Sequence, residues 1–139
     1  MFLVIFCALH AGAQTTTDVK FSAQNIGTDS SQNQYATLYV FRQKNLVGSL
    51  VSYELHVNDS AVCRIKNNSK YVIHLDKPGE VELWARTEQK ASVKINVELG
   101  KAYYLKCGVK TGLIEGRPEL ELTLPSQGGL DFAAVQGRK

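Results

Sequence analysis

Beyond Cys7 and His10, which fall in the apolar run at the start, the side chains with chemistry to offer are few: Cys63 and Cys107, His56 and His74, and two groups of glutamates, Glu80, Glu82 and Glu88, then Glu119 and Glu121. A thiol beside a histidine makes a nucleophile, histidines with further ligands hold zinc, and neighbouring carboxylates serve glycoside hydrolysis. No spacing completes any of these. The chain has no Gly-x-Ser-x-Gly elbow, no His-Glu-x-x-His, no Cys-x-x-Cys and no Asp-rich cation loop. No glycine pair leads from a strand into a helix to cradle a phosphate. His56 lies between Glu54 and Asn58 on the polar face of its run, and His74 lies opposite Ile73, so both read as outward positions. Alternating glutamates read as solvated, edge-protecting carboxylates. The expectation is a protein that is not an enzyme, with no metal and no cofactor.

Two further features stand apart. Cys63 shares a face with Ala61 and Ile65, and Cys107 with Tyr103, Leu105 and Val109, so both point inward from different strands. Three states are open: a Cys63–Cys107 disulfide, two buried thiols acting as small hydrophobes, or a catalytic or metal-binding thiol. A bridge would stabilise by roughly 4 kcal/mol on the chain-entropy account. Trp84 has outward parity between Glu82 and Arg86, which suits an anchor for a partner or a sugar ring. The alternative is that the leader, a long loop or a neighbouring strand covers it.

The elements that must position these residues are short β-type runs divided by turn signals. They fall at residues 36–42, 52–58, 61–66, 71–75, 80–88, 91–99, 102–109 and 119–124. In residues 91–99, Val93, Ile95, Val97 and Leu99 alternate with Ser92, Lys94, Asn96 and Glu98. Asn58-Asp59-Ser60, Asn67-Asn68-Ser69 and Asp76-Lys77-Pro78-Gly79 read as turns. No stretch sustains a helical period. The pattern predicts an all-β fold, an antiparallel β-sandwich of about seven to eight strands, immunoglobulin-like or transthyretin-like; a small β-barrel is the alternative. Residues 110–118 join the last two strands, and the adjacent Leu113 and Ile114 predict a loop that folds back on the sandwich rim. The tail over residues 125–139 is expected to be loosely held, with a weak turn at 130–135.

The apolar run at the start ends in Ala11-Gly12-Ala13, a small-x-small cleavage pattern, so residues 1–13 read as a signal peptide. Residues 14–35, rich in Ser, Thr, Asn and Gln, read as a flexible polar leader. The sandwich domain is then residues 36–124. Phe6 before Cys7 does not suit lipidation, so the expected product is exported to the periplasm or beyond without a lipid anchor. No apolar run reaches the length of a transmembrane helix. The net charge of +3 is scattered singly along the chain, which argues against nucleic acid as partner.

The ordered set Ala36-Thr-Leu-Tyr-Val-Phe-Arg42, Leu46-Val-Gly-Ser49, Tyr53-x-Leu-x-Val57-Asn58, Leu75-x-x-Pro-Gly79, Gly100-Lys-Ala-Tyr-Tyr104 and Gly112-x-x-x-Gly-Arg-Pro118 resembles the bacterial family of domain of unknown function 2846. The resemblance covers about residues 36–124 and implies an exported or lipid-anchored envelope protein. The stretch from Pro78 to Ala85 also looks like a strand of carboxypeptidase-regulatory and transthyretin-like sandwiches. The resemblance carries over no catalytic residue, and it directs attention to Gly112, Gly116, Arg117 and Pro118. There, glycine would supply positive φ, proline would fix the turn, and Arg117 would hold the loop through carbonyls or face a ligand. The leading expectation is a non-enzymatic module that binds or scaffolds an envelope protein or glycan. A carbohydrate- or peptidoglycan-binding domain using Trp84 is one alternative, and a small hydrolase or thiol-redox protein is another.

Overall fold

Alternating side chains give each run one face to bury, and in the computed structural model, which describes residues 34–137, those faces meet between two sheets. The strands are β1 (Ala36–Arg42), β2 (Tyr53–Val57), β3 (Ser60–Ile65), β4 (Ser69–Leu75), β5 (Gly79–Arg86), β6 (Lys90–Val97), β7 (Ala102–Lys110) and β8 (Arg117–Thr123). One sheet has the order β4-β1-β7-β8 and the other β3-β2-β5-β6. The architecture is therefore a sandwich and not a closed barrel. Each strand lies within two residues of its expected bounds. The largest consequence is at β8, which places Arg117 and Pro118 in a strand opposite Lys110 and Val109.

One pairing departs from the antiparallel expectation. β1 and β7 run parallel, with Leu38 opposite Tyr103 and Val40 opposite Leu105. Alternation reports which face a residue occupies and not which way its neighbour runs, so it is silent on this point. The parallel pair has a structural consequence. β1 and β7 end together, so the β1–β2 connection (residues 43–52) and the β7–β8 connection (residues 111–116) emerge at one end of the sandwich. The β3–β4 and β5–β6 turns join them there.

The core is Leu38, Val40 and Leu105 from one sheet against Leu55, Leu83 and Val97 from the other, all essentially without solvent contact. Each such side chain contributes about 1.5–3 kcal/mol relative to exposure. Asn58 (φ 53°) and Asn68 (φ 57°) close the tight turns in the left-handed region, which asparagine tolerates better than most residues.

The tail differs from its expectation. Pro125–Ala134 form a helix, α1, rather than a loosely held segment. Pro125 opens it at a position where the missing N–H needs no partner. Phe132 stands edge-on to Tyr39 at 5.1 Å and to Phe41 at 6.2 Å, covering the outer face of the β4-β1-β7-β8 sheet. Gly128 lets the helix backbone approach Tyr104, where an added Cβ would lie 2.5 Å from the Tyr104 Cβ. Local propensity reads Gly128-Gly129 as a helix breaker, and the tertiary contact overrides it. The signal peptide expected over residues 1–13 and nearly all of the leader expected over residues 14–35 lie outside the described residues. No helix among the described residues is long and apolar enough to cross a membrane.

Candidate functional site

The β7–β8 connection is held from below by one carboxylate. Glu88, in the β5–β6 turn, accepts the Leu113 N–H on Oε1 at 2.9 Å and the Ile114 N–H on Oε2 at 3.1 Å. Arg117 donates from Nε to the same Oε1 at 3.2 Å, and the Thr87 hydroxyl donates to the Gly116 carbonyl at 2.8 Å. Burial pushes the Glu88 carboxyl up, but the N–H donors of Ile114 and Leu113 and the Arg117 guanidinium outweigh it and hold the group below its ordinary value. The ionised carboxylate is thus the form that fastens the loop.

The glycines here serve close approach rather than unusual φ. A Cβ on Gly112 would collide with the Glu88 carboxylate and the Glu115 carbonyl, and one on Gly116 with the Val109 side chain. Neither residue has positive φ. Arg117 meets a carboxylate rather than carbonyls, and Pro118 is buried on the edge strand β8.

The β1–β2 connection is fastened by a buried cation. Arg42 is 2% exposed, and its two terminal nitrogens donate to the Val51 and Gly48 carbonyls at 2.7 and 2.6 Å. Burial lowers its pKa from the usual arginine value, opposed by the neighbouring Tyr53 and Cys107. Among the described residues no carboxylate lies within ion-pair distance of it. Gly48, at φ +72°, packs so closely on Val109 that an added Cβ would lie 2.7 Å from Cγ1. Val109 therefore joins the two connections at their bases.

With the backbone so held, the apolar side chains point to water. Leu113 and Ile114 are 89% and 90% exposed, which overturns the expectation that they fold back on the rim. Leu46 and Leu50, in the β1–β2 connection, are 87% and 97% exposed. These four are the most exposed large apolar residues among those described, and all stand at the same end. Isolated exposed leucines are ordinary; four large aliphatic residues on two fastened connections are a surface feature.

Trp84 faces outward from β5, as its parity predicts, and is half-buried. His56 of β2 stacks on the indole with centroids 4.0 Å apart, and Lys90 of β6 holds its ammonium 4.9 Å from the ring centre. The indole N–H donates to the Asn58 carbonyl at 2.6 Å. A sugar seeking the ring would compete with side chains from both flanking strands. The sequence places Trp84 and the Gly112–Pro118 segment in separate regions of the chain. The structure does not merge them: Trp84 is on the outer face of the second sheet, and the loop is at the end.

Cys63 and Cys107 are both free and not at bridging distance, so the disulfide is replaced by two separate thiols. They project from strands in opposite layers, β3 and β7, and a bridge demands Cα atoms roughly 4.4–6.8 Å apart. Burial pushes the Cys63 thiol up to about 12 and raises that of Cys107 as well. Thiols so raised are poor nucleophiles at neutral pH. Among the described residues no three His, Cys, Asp or Glu side chains gather as for a metal ion.

Sequence reasoning missed Glu88 as the fastening group, Arg42 as its counterpart, and the display of Leu46 and Leu50. Glu88 carries no local mark, because its partners lie 25 to 29 residues away. No curated protein matches the chain. The family described as Protein of unknown function (DUF2846) matches residues 31–117, and the chain belongs to that family.

Proposed function

We propose that this chain is an exported, non-enzymatic β-sandwich module that binds a macromolecule of the cell envelope through its loop end. The observation that carries the reading is the Glu88 fastening: three donors converge on one carboxylate to hold a loop whose two aliphatic side chains face water. Ordering a loop costs about 1–2 kcal/mol per residue in backbone entropy. A segment ordered without burying its own apolar side chains is already shaped for something outside the molecule, which lowers the cost of binding. The raised thiols and the glutamates committed to ion pairs support a binding role over catalysis.

The test is photo-crosslinking in cells from position 113, with position 59 in the opposite turn as control. Reproducible adducts from position 113 and none from position 59 are expected. Adducts in equal measure from both positions, or from neither, would sink the proposal.

A further inference from the structure

Resting on that reading of the loop end as the binding surface, we propose that what it meets in the envelope is a lipid surface in place of a macromolecule: the loop end docks on an anionic bilayer, with Leu46, Leu50, Leu113 and Ile114 entering the acyl boundary. The first argument is shape and composition. The side chains sit on the tips of two connections rather than in a groove, and Val47, 62% exposed, continues the series. Residues 43–52 and 111–116 contain no aromatic side chain. Protein-binding hot spots favour Trp, Tyr and Arg seated in pockets, and under-use Leu and Val. A bilayer has no fixed shape to match, and it takes up aliphatic prongs in proportion to the apolar area they bury.

The second argument is charge. Behind Val47 lies a recess of about 260 Å³ lined by Lys44, Lys106, Asn45 and Gln43, with Arg42 also among its lining residues. Lys44 and Lys106 form no ion pair among the described residues, although Glu121 stands opposite Lys106 across the β7–β8 pair; Glu119, which also lines the recess, is engaged by Lys110 at 3.2 Å. Glu115 in the β7–β8 connection opposes this balance without reversing it. Cations beside aliphatic prongs complement a surface of lipid phosphates above acyl chains. The concavity at the opposite end, about 390 Å³, mixes Asp59 and Asp76 with Lys77 and has no such bias.

The third argument is rigidity. The Glu88 and Arg42 fastenings, with Val109 between the two loop bases, fix the connections relative to the sheets, so insertion need not order them first.

The test uses the full chain with vesicles of phosphatidylglycerol and phosphatidylethanolamine, against vesicles of phosphatidylcholine alone. Sedimentation with the anionic vesicles is expected. Leu113→Asp with Ile114→Asp should weaken it at least tenfold, and Lys44→Glu should remove the preference for the anionic lipid. Because residues 1–13 are themselves apolar, a second readout reports on the loop alone. Leu113→Trp should add emission that is quenched by brominated acyl chains, whereas the emission of Trp84 in the parent chain should not be quenched. Unquenched emission from Leu113→Trp, or equal vesicle binding by the paired aspartate variant, overturns the inference. If crosslinks from position 113 then still reach one envelope protein, the binding reading stands and only the lipid assignment fails. If they too are absent, both fail.

Discussion

The two ends of the sandwich spend the same kind of interaction in opposite ways. At the end where β2 meets β3 and β6 meets β7, connections are short and polar. The Asn58 side chain accepts the Glu82 N–H at 3.0 Å, the Tyr103 hydroxyl accepts the Glu98 N–H at 2.9 Å, and Lys101 pairs with Glu98 at 2.6 Å. The groups that tie the chain there are also the groups that face water. At the other end, Glu88 and Arg42 turn inward to hold backbone, and the side chains left facing water are aliphatic. A tight polar turn needs no partner to be complete. A loop end that keeps its apolar side chains outside does, and that is the physical distinction between a closure and a candidate interface.

Substitutions at glycine probe this contrast most strongly. Gly116→Val drives a branched side chain into Val109 and Val51 and is expected to cost about 2–3 kcal/mol by overpacking, read from the urea unfolding midpoint. At the opposite end, Gly79→Ala meets no atom within 4 Å and bears only the strain of φ +116°, about 1 kcal/mol. Equal losses would mean that the loop bases are not packed more tightly than the far turns.

Truncating the aromatic contact of α1 should separate the helix from the loop end. Phe132→Ala is expected to cost about 2 kcal/mol, less than a fully buried phenylalanine because the ring is half-buried. The Leu113 and Ile114 amides should keep their protection from hydrogen exchange. Loss of that protection would show that α1, and not Glu88, orders the loop.

Acid should loosen one end before the other. The Glu88 carboxyl is held below its ordinary value, so its contribution is complete above that value and fades as pH falls through the lowered one. The Leu113 and Ile114 amides should therefore lose their protection from hydrogen exchange as pH falls through that lowered value. The Asn58 amide, bonded to the Glu82 carbonyl at 2.8 Å, should be little changed, because neither bonded group titrates. A joint loss at both ends would point to global unfolding rather than release of the loop.

The smallest expected effect is none. Reductant should change neither the mass nor the unfolding midpoint, since Cys63 and Cys107 are free. A gain of two hydrogens on reduction would restore the bridge.

Much of the scaffold was legible because alternation is local. Val81, Leu83 and Ala85 announce the buried face of β5 by their own spacing, and Glu82 and Trp84 announce the other. The free thiols were one of three readings left open, because inward parity gives a layer and not a distance. Arg42 shows the limit from another direction. It continues a strand-like run, and nothing in its neighbours reveals that it is buried against the carbonyls of its own following loop.

Legible in the spacing, therefore, were the set of strands, the inward and outward sides of β2, β5 and β6, and the turn positions, and the ordered motifs carried the family. Those depend on contacts between residues a few positions apart and on the transfer of apolar side chains from water. Only the tertiary structure decided that β1 and β7 run parallel and that Phe132 turns the tail into a packed helix. It alone brought Glu88 beneath Leu113 and Ile114. Each of these is a pairing between distant segments, chosen by how whole elements fit together, and no local spacing encodes it.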